Sequence, residues 1–174
     1  MIDRSLENDV VDVLSRNGSG PKIWGRFENG RLESWLLGTS CTPSQMSERH
    51  LSSLIAGALA KLHLQPMPFE RKPVIENVLH KWSRIASEVA FPDSPTKQQQ
   101  LNELNLPEIL IATRSYLSSI AASHYGSTSP VVFCHNDLLS GNIMYAPDTD
   151  TVALVDFEYG NYNPRGFDLA NHFW

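Results

Sequence analysis

Apolar residues recur at Leu6, Val10, Val13 and Leu14 between charged neighbours. That is the spacing of one helix face, and it predicts a helix from Arg4 to Ser15. Asn17-Gly18-Ser19-Gly20-Pro21 breaks it. Lys22 to Phe27 and Arg31 to Leu37 read as two strands joined at Glu28-Asn29-Gly30, with Asn-Gly as the hairpin signal. Thr42-Pro43-Ser44-Gln45 carries a capping box with proline at the first helical position. Behind it Leu51, Leu54, Ile55, Ala58, Leu59 and Leu62 form one apolar stripe, a core-facing helix. A second helical run, Val74 to Val89, sets Val78, Trp82, Ile85 and Val89 on one face, and Trp82 is expected in the core. Residues 92–105 are polar and read as a loop or short surface helix, and Leu106 to His124 forms a further helix with Pro107 near its start. Val131 to Cys134 and Val152 to Asp156 are short apolar strands. Helix, two strands, several helices, then short strands predict an α+β fold without internal repeats.

Composition narrows the class. At 174 residues and 41% hydrophobic content the chain can bury one core. Its net charge of -5 and pI of about 5.6 give no basic footprint for nucleic acid. Cys41 and Cys134 make no disulfide framework and read as neutral thiols in a reducing, cytoplasmic setting. No apolar run has the length of a membrane span, and Asp3, Arg4 and Glu7 beside Met1 do not make a signal peptide.

The chemistry concentrates late in the chain. His135-Asn136-Asp137-Leu138-Leu139-Ser140-Gly141-Asn142 reads H-x-D-x-x-x-x-N and follows an apolar strand. A hairpin with its turn at Ala146 to Asp150 then leads into Val155-Asp156-Phe157-Glu158. Phosphoryl transfer needs those groups in that order. One carboxylate, Asp137, takes the proton of a substrate hydroxyl. Asn142 and Asp156 offer a neutral and a charged oxygen to magnesium, which prefers few, hard protein ligands. The hairpin brings those two residues towards one point. The bland alternative is a loop whose Asn and Asp cap turns. His135 is read as a brace through a ring hydrogen bond rather than as a base. Asp168 is read as a brace for the catalytic loop through backbone N–H groups, not as a third ligand. Gly18-Ser19-Gly20 is read as a plain turn, since Pro21 and a strand follow it. Protein kinases carry arginine where this chain has Asn136 and D-F-G where it has D-F-E, which points to a small-molecule kinase.

From Val131 to Phe173 the chain resembles the choline/ethanolamine kinases, which share the protein-kinase-like fold with aminoglycoside phosphotransferases. The runs Gly20 to Glu33 and Leu59-Ala60-Lys61-Leu62-His63 are similar more weakly. The resemblance implies ATP and Mg²⁺ as cofactors, choline or ethanolamine as substrate, Asp137 as base, and Asn142 and Asp156 as metal ligands. It implies adenine contacts from the backbone of Glu33, Ser34, Trp35 and Leu36. It sets Glu7 on the helix whose glutamate pairs with a phosphate-binding lysine, and Tyr159 near the amine pocket. Tyr162 and Trp174 are aromatic neighbours of that pocket, read as structural. Pro164 and Ala170 depart from an aromatic and a glycine usual at those positions.

The resemblance divides the chain into residues 1–37, the end of an N-terminal lobe with the hinge near 33–37, and residues 38–174, a helical C-terminal lobe. That lobe holds the catalytic loop 135–142 and the metal strand 152–158. A complete kinase of this family is roughly twice as long and has its Gly-rich loop and lysine upstream of the Glu7 helix. A fragment, inactive by itself, is therefore expected, and the complete enzyme is compatible with a homodimer. Two other readings stay open: an aminoglycoside or sugar phosphotransferase, and a truncated relative that only binds a partner.

Overall fold

The computed structural model describes residues 3–124 and 129–173. The chain divides into two compact units, residues 1–72 with 131–174, and residues 73–130.

In the first unit, helix α1 (Arg4–Arg16) starts on Asp3, whose carboxylate accepts from the N–H groups of Ser5 and Leu6. It stops where Gly18 takes φ +66°. Ser19 N then donates to Leu14 O at 2.8 Å and Gly18 N to Ser15 O at 3.3 Å. This is a glycine C-terminal cap, so the Gly18-Ser19-Gly20 run closes a helix. Strands β1 (Ile23–Phe27) and β2 (Gly30–Glu33) pair antiparallel. The second strand ends at Glu33, short of the expected Leu37: Ser34 N still donates to Lys22 O at 2.8 Å, but Lys22 N bonds the Ser34 hydroxyl rather than its carbonyl, and the ladder stops there. Neither Asn29 nor Gly30 takes positive φ, so the hairpin forms without the mirror-image turn that Asn-Gly favours.

A three-stranded sheet follows, in the order β3 (Thr39–Ser40), β5 (Ile143–Ala146), β6 (Thr151–Leu154). Strand β4 (Val131–Cys134) pairs separately with β7 (Asn161–Pro164). Helix α2 (Pro43–Met46) carries the expected capping box on Thr42 and Gln45. Helix α3 (Arg49–His63) buries Leu51, Ile55, Leu59 and Leu62 in one cluster with Val10, Leu14, Phe133, Leu138, Ile143 and Phe157. His50 and Tyr145 both bond Asp150 Oδ1, at 2.7 and 3.0 Å, which ties the start of α3 to the β5–β6 turn. Those two bonds hold the Asp150 carboxyl below its ordinary value. Helix α7 (Arg165–Phe173) follows β7 directly.

The second unit consists of α4 (Ile75–Ser87), α5 (Pro95–Glu103) and α6 (Leu106–His124). Helix α4 packs on α6, and α5 buries nothing, as a polar surface helix should. Helix α4 forms, but its expected apolar face is largely exposed: Trp82 is 54% exposed and not a core residue, Ile85 is exposed too, and Val89 lies beyond the helix end. Periodicity fixes which side chains share a face, and only the covering partner decides burial. No helix among the described residues is long and apolar enough to cross a membrane.

Gly38, just before β3, has φ +101°, and a Cβ there would lie 2.2 Å from Tyr145 O. Gly38→Ala should therefore cost about 2–4 kcal/mol from backbone strain and overpacking. The urea midpoint checks this, and an unchanged midpoint would refute the close approach of Gly38 to β5.

Candidate active site

Two ladders meet at the loop His135–Asn142. Register Cys134↔Asn161 fixes where the chain leaves β4, and Leu138, fully buried, anchors the middle of the loop. Asp168, also fully buried, closes its first turn. One carboxylate oxygen accepts from His135 N at 2.8 Å, the other from Asn136 N at 2.7 Å. His63 Nε2 meets the first oxygen at 2.9 Å. His135 Nε2 donates to Val155 O at 2.8 Å, and its ring lies 5.0 Å from that of Phe157. Burial pushes the His135 ring below its ordinary value, against the opposing pull of that bond. A neutral ring with its proton on Nε2 satisfies Val155, and Nδ1 remains buried without a partner.

Asn142 Nδ2 donates to Asp137 Oδ2 at 3.1 Å and to Asp137 O at 2.8 Å. The amide nitrogen is thus spent on Asp137, which leaves the amide oxygen for a cation. Val155 N donates to Asn142 O at 3.0 Å, one step beyond the Ile143↔Leu154 pair. The same end of the β5–β6 hairpin therefore carries Asn142 and leads into Asp156, which is exposed and has φ +64°. One carboxylate, that of Asp156, and one amide oxygen, that of Asn142, suit magnesium, which takes few protein ligands. His63, Cys134 and Asp168 also bring ligand atoms within 4.8 Å of one another. There the carboxylate is already occupied by His63 and two loop amides. Burial and then the Asp168 charge push the Cys134 thiol up. That group is a hydrogen-bonded brace, not a metal site.

Glu7 is buried on α1 between Arg4 Nη1 at 2.5 Å and Arg31 Nη1 at 2.9 Å. Burial pushes its carboxyl up, but the hydrogen bonds from the two guanidinium groups outweigh this and hold it below its ordinary value. Its cations are arginines of the chain itself, so Glu7 is not left unpaired. Arg4 also reaches Glu158 Oε2 at 3.4 Å, a contact between α1 and the segment after Asp156.

The hinge candidates are not gathered with the acidic residues. Glu33 ends β2 and pairs with Arg31, and Trp35 is 87% exposed. Leu36 lines a cleft of about 420 Å³ with Gly18 to Gly20, α3 and β6, and the lining contains none of Asp137, Asn142 and Asp156. Tyr159 is 47% exposed in the turn after Asp156, and its carbonyl accepts from Asn136 Nδ2 at 2.8 Å. Tyr162 is a core residue whose hydroxyl accepts from Met67 N and whose ring meets Phe69 and Phe133 edge-on. Trp174 lies outside the described residues. Sequence reasoning missed the Asn136 hydrogen bonds, the Arg4 and Arg31 pairing of Glu7, and the contact of His63 with Asp168. Two of these carried a signal: His63 is a polar residue closing an apolar helical stripe, and Arg4 stands three residues before Glu7 on one helix.

A family model described as choline/ethanolamine kinase matches residues 1–174. The probable ethanolamine kinase A of Dictyostelium discoideum is 34% identical, over 99% of this chain and 48% of that protein. The human choline/ethanolamine kinase is 33% identical, over 97% of this chain and 42% of that protein. Among solved structures, Plasmodium vivax ethanolamine kinase superposes with a TM-score of 0.81 at 26% identity, over 99% of this chain and 51% of that one. An aminoglycoside phosphotransferase from Streptomyces rimosus gives a TM-score of 0.69 at 25% identity, over 97% of this chain and 64% of that one. The protein-kinase-like fold is common to all of these, and the chain spans about half the length of the curated relatives it matches.

The lowered Glu7 carboxyl has a pH consequence. A group depressed on folding adds stability above its unfolded value, and that stability is lost as pH falls through the lower, folded value. Stability should therefore decline from just above the ordinary glutamate value of 4.5 downwards. Glu7→Gln should remove that part of the acid loss while lowering stability at neutral pH. Equal slopes for parent and variant in urea titrations across that range would contradict the assignment.

Proposed function

Because this chain belongs to the choline/ethanolamine kinase family, we propose that it carries the catalytic and metal-binding part of an ATP- and magnesium-dependent kinase. The substrate is the hydroxyl of ethanolamine or choline, and the reaction is the first step towards phosphatidylethanolamine or phosphatidylcholine. The observation that carries this reading is the linked set Asp137, Asn142 and Asp156. Asp137 is held by Asn142, and Asn142 is joined by backbone to the strand end that leads into Asp156.

Asp137 takes the substrate hydroxyl proton as that oxygen forms its bond to the γ-phosphorus. The bond from the γ-phosphorus to its bridging oxygen breaks, and ADP leaves. Asn142 and Asp156 are the protein's oxygens for magnesium, which when bound neutralises charge on the phosphates. His135 and Asp168 hold the loop, one through Val155 and the other through two amides. Glu7 orders α1 beside the metal segment through Arg4. Backbone from Glu33 to Leu36 faces the adenine, and Tyr159, exposed three residues past Asp156, offers an aromatic face to the ammonium group. Residues 1–37 belong to the N-terminal lobe and 38–174 to the C-terminal lobe of a cytoplasmic enzyme. An aminoglycoside acceptor fits the fold but not the family match.

Two substitutions in the complete enzyme test the roles. Asp137→Asn should lower turnover ~10²- to 10⁴-fold with little change in nucleotide binding, since it removes the base and keeps the shape. ADP release within threefold of the parent would sink the assignment.

Asp156→Ala should weaken magnesium-dependent nucleotide binding more than Asn142→Ala, because the charged oxygen is the stronger ligand. Matching magnesium titrations for the parent and both variants would rule out a metal role.

A further inference from the structure

We propose that Asn136 is a positioning residue that clamps the base-bearing loop to the turn carrying Tyr159. The proposal rests on the reading of Asp137 as base and Tyr159 as amine wall. Asn136 stands directly before Asp137 and uses its backbone N–H and both ends of its side-chain amide. Its backbone N–H goes to Asp168 Oδ1 at 2.7 Å. Its Nδ2 donates to Tyr159 O at 2.8 Å, with longer contacts to Cys134 O and Asn161 O at 3.4 and 3.3 Å. Its Oδ1 accepts from Asn163 Nδ2 at 2.7 Å, and Asn163 is itself buried on β7. One amide thus spans three places on the segment that follows Asp156. The two ends of the clamp lie on the segments that carry the proposed base and the proposed amine wall. The loop end fixes Asp137, and the Tyr159 end closes the turn in which Gly160 N donates to Phe157 O at 2.8 Å.

The residue type fits this task. Asn136 has φ +66°, a conformation that asparagine tolerates and most side chains do not. Its side chain is short enough to reach neighbouring carbonyls and offers a donor at one end and an acceptor at the other. Arginine, found here in protein kinases, is all donor and carries a charge that needs an anion. A neutral amide bonded to carbonyls holds the two segments together without any added charge. Losing one such bond shifts an equilibrium by up to about tenfold.

Two variants separate the clamp from simple folding. Asn136→Gly keeps the positive φ and deletes the side chain. Asn136→Asp keeps the shape and the acceptor for Asn163, but turns an acceptor towards Tyr159 O. In the complete enzyme both should raise the amine KM about tenfold, with the ATP KM within twofold of the parent. Amide hydrogen exchange at Gly160 should quicken in both variants, while the α3 amides keep their protection. Parent-like amine KM in Asn136→Asp, or equal rises in both KM values, overturns the proposal. A parent that phosphorylates neither amine overturns the kinase reading instead. The exchange measurement needs no turnover, and unchanged exchange at Gly160 in both variants overturns the clamp on its own.

Discussion

Burying the Asp168 carboxylate is the constraint on which the site depends. A fully buried carboxylate is tolerable only when its lone pairs are filled. Here the fillers are two consecutive loop amides and the His63 ring. Each filler imposes geometry on a different part of the chain. The amides fix the first turn of the catalytic loop, and His63 fixes the last turn of α3 against it. The carboxylate also orders its own helix, since Asp168 lies in the first turn of α7, where negative charge suits the helix dipole. Three elements far apart in sequence are thereby forced to agree at one point, and Asp137 inherits its position from that agreement.

Backbone conformation follows the same logic. Among the described residues, four other than glycine take positive φ: Asn105, Asn136, Asp150 and Asp156. Two of them flank the proposed chemistry, one on each side of the hairpin that joins base and metal strand. All four are Asn or Asp, the residues that adopt this region at least cost. At Asn136 the hydrogen bonds to Asp168, Tyr159 and Asn163 hold a conformation that local preference alone would not secure. The third, Asp150, sits at the far hairpin turn under His50 and Tyr145. A strained turn at each end of the β5–β6 hairpin leaves little room for register slip, which keeps Asn142 opposite Val155.

Much of this was legible in the sequence because it is local. Helix α1, the Thr42 capping box, the stripe on α3 and the β5–β6 hairpin all follow from spacing and turn chemistry within a few residues. The candidate base and metal residues were legible because their order along the chain is itself the chemical requirement. The misreadings concern partners distant in sequence. Trp82 sits on a true apolar face, but periodicity does not say what covers a face. The strand expected to run to Leu37 ends at Glu33, where the Ser34 hydroxyl takes the Lys22 N–H in place of a backbone carbonyl. Glu7 gained Arg4 and Arg31, one a turn away and the other 24 residues on, and no local signal announces the second. Asn136 was visible only as a departure from arginine, and its four side-chain partners lie on or beside the β4–β7 ladder, distant in sequence but for Cys134.

Charge explains why such a site calls for a cation. Asp137, Asp156 and Glu158 lie within two consecutive segments, and among the described ion pairs only Arg4 reaches any of them. Arg4 is mostly exposed and is shared with Glu7, so it offsets little of that negative charge. Nucleotide phosphates would add more charge of the same sign. Like charges gathered a few ångströms apart in a partly desolvated cleft are held only at a cost in free energy. A divalent ion between the carboxylates and the phosphates turns that repulsion into two attractions. The Asp168 brace and the Asn136 amide fix the loop that carries Asp137 independently of any ion. Groups held in place beforehand in this way are what a phosphoryl-transfer site would need, since such a step rests on charge stabilisation more than on covalent chemistry.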